Sequence, residues 1–242
     1  MIPALAWWQW AVGALCAFLI GASKTGLPGL GVMVVPMMVL TVGDARQSAG
    51  WLLPILCTAD LLAVWYWRKN AAVGRLFSLA PWVLAGIGIG AAALAFSERV
   101  LRPMIGVIIF VMLAVFLYRK YRGTTQVAAH PVIYGTAAGF ATTVANAAGP
   151  VMNLYLLSKR LPKEDFIATG AWFFFFVNLA KVPIYIGHGL FSRHSLAFDA
   201  LLAPAIFAGA FAGRILLHRI PPRVFEALVI GMTIVATVLL FR

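Results

Sequence analysis

Leu76-Phe-Ser-Leu-Ala-Pro-Trp-Val-Leu-Ala-Gly-Ile-Gly-Ile-Gly-Ala-Ala-Ala-Leu-Ala-Phe-Ser97 runs for 22 positions without a charged side chain. As a helix rising 1.5 Å per residue it would extend about 33 Å, close to the roughly 30 Å of a bilayer's hydrocarbon core. A helix on the surface of a soluble domain would carry a polar stripe, and this one has none. The pattern repeats outward in both directions. Residues 1–23, 25–43, 47–59, 103–118, 200–213 and 227–241 carry no charge, and from Gly123 to Ser158 the only acidic or basic residue is His130. Such runs, parted by short charged loops, must satisfy their backbone polar groups internally, as helices do. A β-barrel would show alternating segments of about ten residues instead. Hydrophobic residues make up 63% of the chain and charged residues 11%, against roughly 45–50% and 25% in soluble domains. The expected fold is an all-α integral membrane protein of about seven or eight transmembrane helices.

The expected segments are 5–22, a short piece near 28–42, 49–67, 76–96 and 103–118, then 131–143, a short piece near 147–158, 166–186, 196–217 and 224–241. Trp7, Trp8 and Trp10, the run Trp65, Tyr66 and Trp67, and Tyr118 and Tyr121 mark interfaces, where Trp and Tyr concentrate. Cys16 and Cys57 lie in apolar spans and read as small core residues. The N-terminus has no basic stretch ahead of its apolar run, so the first helix is expected to remain. The net charge of +12 falls mostly in loops, where it sets orientation and meets anionic headgroups rather than nucleic acid.

Residues 1–118 and 131–242 share one layout, joined by a basic connector, 119–130. Each opens with an apolar segment broken by glycines, followed by three full spans. A shift of 118 residues places Gly21 on Gly139, Thr25 on Thr143, Gly31 on Gly149 and Asp60 on Asn178. The opening segments are read as broken or re-entrant. Re-entrant segments put loops 68–75, 119–130, 158–165 and 218–223 on one side with eleven Lys/Arg, against five on the other, the bias expected of cytoplasmic loops. That arrangement makes the repeats inverted. Eight crossings in parallel repeats is the rival layout.

The first break, Gly21-Ala-Ser-Lys-Thr-Gly-Leu-Pro-Gly-Leu-Gly31, sets four glycines, a proline and a lysine in an apolar run. Its second helical half should start with free N–H groups, which attract anions, and Ser23, Lys24 and Thr25 add hydroxyls and charge. The second break, Gly139-Phe-Ala-Thr-Thr-Val-Ala-Asn-Ala-Ala-Gly-Pro150, carries Thr142, Thr143, Asn146 and Gly149. Packing alone would also use small and hydroxyl residues here. Asp60 and Lys181 are charges inside spans, where each costs at least about 2.5–3.5 kcal/mol unless paired or lining a pathway. Lys181 is read as facing an anion, with Asn178 on the same helix face, and Asp60 as a proton site and the only deeply placed acid. A structural ion pair is the alternative for both. Glycines 86, 88, 90, 209 and 213 read as close helix contacts. No metalloprotease, serine-hydrolase or phosphate-loop motif occurs. His188 and His194 lack partner ligands at metal spacing. No catalytic residue, metal or cofactor is therefore expected.

Two ordered signatures carry a family resemblance. The first is Gly21-x-x-Lys-Thr-Gly-x-Pro-Gly-x-Gly31 with Pro36, Gly50-x-x-x-Pro54 and Asp60-Leu. The second is Thr142-Thr-Val-Ala-Asn-Ala-Ala-Gly-Pro150 with Tyr155-Leu-Leu, Phe166, Thr169, the Phe173–Phe176 run, Asn178 and Lys181. Together they resemble the sulfite exporter TauE/SafE family from about residue 11 to 240. Lys24 stands where other members often have a small residue, and Asn146 where some have His. The resemblance implies a multi-pass anion transporter of the cytoplasmic membrane, acting on sulfite, organosulfonates or related oxidised-sulfur anions. Its functional positions fall on Thr25, Gly31, Thr143, Asn146, Gly149, Pro150, Asn178 and Lys181.

The combined expectation is a secondary transporter working by alternating access. The two breaks should meet near the bilayer midplane and, with Lys24, Thr25, Thr142, Thr143 and Asn146, cradle one small anion that Asn178 and Lys181 enclose. An anion channel is the main alternative, with a membrane-embedded enzyme or a scaffold subunit behind it. The expected partners are the anion and membrane lipids, with a homodimer allowed and no nucleic acid.

Overall fold

A computed structural model describes residues 3, 5–70, 73–93, 98–122, 130–187 and 189–241. Most of the basic connector (123–129), His188 and Arg242 lie outside the described residues. Those described form ten helices and no strand: α1 (Trp7–Thr25), α2 (Gly31–Val42), α3 (Ala45–Trp67), α4 (Val73–Ala93), α5 (Glu98–Tyr121), α6 (Pro131–Ala145), α7 (Ala148–Ser158), α8 (Lys163–Gly187), α9 (Arg193–Arg219) and α10 (Pro222–Leu239). Six of them, α3, α4, α5, α8, α9 and α10, are long and apolar enough to cross a membrane. These are the three full spans expected of each half.

The helix ends follow local chemistry. Gly43 closes α2 at φ 83°, and Asp44 then caps α3 by accepting a 2.6 Å hydrogen bond from the Gln47 amide. Ser192 opens α9 by accepting from the Ser195 amide at 3.0 Å. Such caps satisfy donors and acceptors that a helix end leaves over. The first break falls between Thr25 and Gly31, where Gly29 takes φ 102° next to Pro28. The second is shorter, with Asn146 in the left-handed region at φ 54°, a conformation Asn tolerates.

The chain forms two compact units, each drawing helices from both halves. The first comprises residues 1–71 and 163–221, hence α1–α3 with α8 and α9. Its core gathers Cys16, Ile20, Met38, Trp51 and Phe198, with the Phe198 ring 5.1 Å from Trp10 and 5.0 Å from Trp51. Here α1 lies along α9 with the two backbones nearly touching. A Cβ added at Gly21 would collide with the Ile206 carbonyl, and one at Gly209 with the Phe18 carbonyl.

The second unit comprises residues 72–162 and 222–242, hence α4–α7 with α10. The crossing of α4 and α6 has the same character. A Cβ on Gly139 would collide with the Val83 carbonyl, and one on Gly86 with the Thr136 carbonyl. Glycines 86, 90, 209 and 213 thus serve close packing as expected. Gly88 does not, because the space beside it is open.

Candidate functional site

The site is built from the buried charges of the first unit. Asp60, in the middle of α3, is fully buried. The Lys24 ammonium approaches its Oδ1 at 2.8 Å, an ion pair without hydrogen-bond geometry, and Asn178 Nδ2 of α8 donates to its Oδ2 at 2.6 Å. The other side of the Lys24 ammonium meets the Phe174 ring, 4.0 Å from its centroid. Lys181, one turn beyond Asn178, is buried and feels the charges of both Asp60 and Lys24. Cys57, one turn before Asp60, stands in range of the same three charges. Three helices therefore bring Lys24, Asp60 and Asn178 together within apolar packing, with Lys181 one turn from Asn178 on α8. Counter-charge and hydrogen bonds offset the desolvation that an isolated ion would suffer.

Asp60 is paired with Lys24. The structure corrects two expectations about the first break. Lys24 and Thr25 close α1, at its carbonyl end, instead of opening a helix N-terminus. The start of α2 also offers no row of unpaired donors. The Gly31 amide donates to Ser23 Oγ at 3.3 Å, Val32 to the Gly29 carbonyl at 3.1 Å and Met33 to the Leu30 carbonyl at 3.2 Å.

Thr25 is a structural tie. Its buried hydroxyl lies 3.0 Å from the Gly21 carbonyl and 2.7 Å from the Ala210 carbonyl of α9, while its own carbonyl accepts from Trp67 Nε1 at 3.1 Å.

The remaining predicted residues lie in the second unit, around the α6–α7 break. Thr142 is buried. The Thr143 hydroxyl donates to the Gly139 carbonyl at 2.9 Å, and its side chain fills the space beside Gly90. Asn146 caps α6, its amide bonded to the Thr142 carbonyl at 3.2 Å. Gly149 is the second residue of α7 and has open space where a Cβ would stand, so packing does not demand glycine there.

A second buried acid corrects the idea that Asp60 stands alone. Asp199 of α9 is 8% exposed, and neither of its carboxylate oxygens has a hydrogen-bond partner among the described residues. Its sequence setting, close after Arg193 and His194, reads as a membrane interface and hides this burial. Phe174 was legible only as one member of an aromatic run.

The family profile described as sulfite exporter TauE/SafE matches residues 13–240. The chain belongs to the sulfite exporter TauE/SafE family. That match spans both breaks and all six long helices, and makes the chain a multi-pass membrane protein of a transporter family. No curated protein and no solved structure gives a significant match.

Proposed function

We propose that this chain is a secondary transporter for a small anion of the oxidised-sulfur class, sulfite or an organosulfonate, working across the cytoplasmic membrane by alternating access. The observation carrying this reading is the cluster of Lys24, Lys181, Asp60 and Asn178 in the transmembrane packing of a member of a sulfite exporter family. Intramembrane ionisable groups mark substrate and ion pathways by default. Two lysines against one carboxylate allow a surplus positive charge, which a monoanion complements. Phe174 and the surrounding apolar packing lower the local dielectric and strengthen that attraction. Protonation of Asp60 would release Lys24 from its ion pair and raise the charge offered to the anion. Thr142, Thr143, Asn146 and Gly149, around the second break, are proposed anion contacts of their own unit.

The transport reading includes inverted repeats, 1–118 and 131–242 around the connector 119–130, with seven or eight passages counting the broken segments. Its support is internal. Thr25 bonds the Gly21 carbonyl in one unit and Thr143 bonds the Gly139 carbonyl in the other, at positions related by the 118-residue shift. Gly209 against Phe18 is answered by Gly86 against Thr136, and residues 18 and 136 obey the same shift. Membrane lipids and a homodimer complete the partners, the dimer being checked by the mass of the detergent-solubilised particle.

The test is a binding screen on purified protein with sulfite, sulfate, thiosulfate, sulfoacetate, taurine and small carboxylates. Tight binding of a sulfur oxyanion, weakened in both Lys24→Ala and Lys181→Ala, is expected. Unchanged affinity in both variants would remove the cluster from the substrate path. An anion channel built on the same residues would pass ions without saturating.

A further inference from the structure

Asp199 is the one buried carboxylate of the first unit that the transport reading leaves unused. It lies on the packed stripe of α9, between Ser195 one turn before and Leu202 one turn after, all three buried. Ser195 gives it nothing, since its hydroxyl is engaged with the carbonyl and amide of Ser192 at 2.9 Å each. Both oxygens of Asp199 are buried and unpartnered among the described residues.

Among the described side chains no counter-charge is placed beside it, the side chain of Arg46 on α3 lying outside them. The helices packed most extensively on α9 are α1 and α3. Gly13 of α1 meets Phe198 and Leu202, so Asp199 lies at the Gly13 level, while Gly26 meets Gly213. Lys24 is thus ten or so residues farther along, about 15 Å at 1.5 Å per residue. On α3, Trp51 packs against Phe198 and Tyr66 against Arg214, which places Cys57 and Asp60 away toward the same far end. Cys16 is the titratable group of α1 nearest this level, and it is an apolar-packed thiol. On α9 itself Arg193 and His194 are exposed at the first turn, and Arg214 and His218 engage Tyr66 and Trp67.

A carboxylate so placed needs a ligand, and its chemistry names one. A hard metal cation requires six or more oxygens, and no grouping of His, Cys, Asp or Glu suited to a metal occurs among the described residues. A proton requires no further ligand and removes the charge whose burial is costly. Asp60 is the less suitable acceptor, because Lys24 and Asn178 already occupy its oxygens.

We propose that Asp199 is a proton-binding site of α9, separate from the charged cluster, and that its proton is exchanged during transport. The exchange rests on the transporter reading, whereas occupancy by a proton does not.

Two measurements separate these parts. Infrared difference spectra of purified protein, wild type against Asp199→Asn at neutral pH, read occupancy. Loss of a protonated-carboxyl carbonyl band in the variant is expected, and identical spectra would overturn the site. Asp60→Asn serves as the comparison; a band lost there and not in Asp199→Asn would move the proton to Asp60. Sulfite-driven proton movement in proteoliposomes reads exchange. Asp199→Asn is expected to abolish proton movement while retaining sulfite binding, and proton movement equal to wild type would overturn the exchange. If the wild type binds none of the sulfur anions, the transport reading fails while the infrared result still decides the site.

Discussion

Lys24 and Asp60 show what a single residue costs inside a membrane protein. Removing one partner of a buried ion pair strands the other and is expected to cost about 3–5 kcal/mol, more than the pair's net worth. Lys24→Met should therefore lower the thermal midpoint of detergent-solubilised protein sharply. The double variant Lys24→Met with Asp60→Asn should recover much of that loss, since Asn can still meet Asn178 and no charge is stranded. Anion affinity should stay low in both, because the ammonium is gone in both. Affinity that recovers along with stability would assign the pair to folding alone. Sequence reasoning found Asp60 by its cost in lipid and Lys24 by its place in the first break, but not their pairing. The 35 positions between them carry no trace of it, because packing of α1 on α3 sets the contact. Asp199 escaped for a related reason: proximity to charged residues in sequence does not report which face of a helix is turned inward.

At the scale of elements, the breaks and spans were the legible part. Gly29 and Pro28 interrupt the first segment and a left-handed Asn146 the second, so both breaks fall within the segments expected. The observed helices reach farther into the loops than the uncharged runs. Helix α8 begins at Lys163 and α9 extends from Arg193 to Arg219, since charged terminal residues can reach water while their backbone remains helical. What glycine does in a crossing was less legible, because spacing alone does not distinguish Gly86 from Gly88. A direct comparison follows from the difference. Gly21→Ala and Gly139→Ala press a methyl group onto a facing carbonyl and should each cost about 1–3 kcal/mol or more. Gly88→Ala meets open space and should be neutral or slightly stabilising, since alanine favours helix by about 1 kcal/mol over glycine. Unfolding midpoints of the three variants in one detergent check this. Gly149→Ala should likewise fold normally, so any fall in its anion affinity reports on the site and not on stability.

For the whole molecule, the proposed export of an anion would draw on the membrane potential. An anion leaving a negative interior gains about 2.3 kcal/mol per charge per 100 mV. Efflux of a sulfur oxyanion from proteoliposomes should therefore saturate with substrate and quicken when the interior is made negative. Linear, unsaturable flux would favour the channel. The composition made membrane residence plain from the start, whereas the grouping into two units was not readable. Each unit mixes helices from both halves of the chain, and such long-range packing leaves no periodicity in the sequence.

The hydrogen bond between Asp60 and Asn178 joins positions 118 residues apart, the same shift that relates Thr25 to Thr143. If the proposed repeats descend from one duplicated half, both places began with the same residue, and the present acid–amide pair is an asymmetry that arose between the copies.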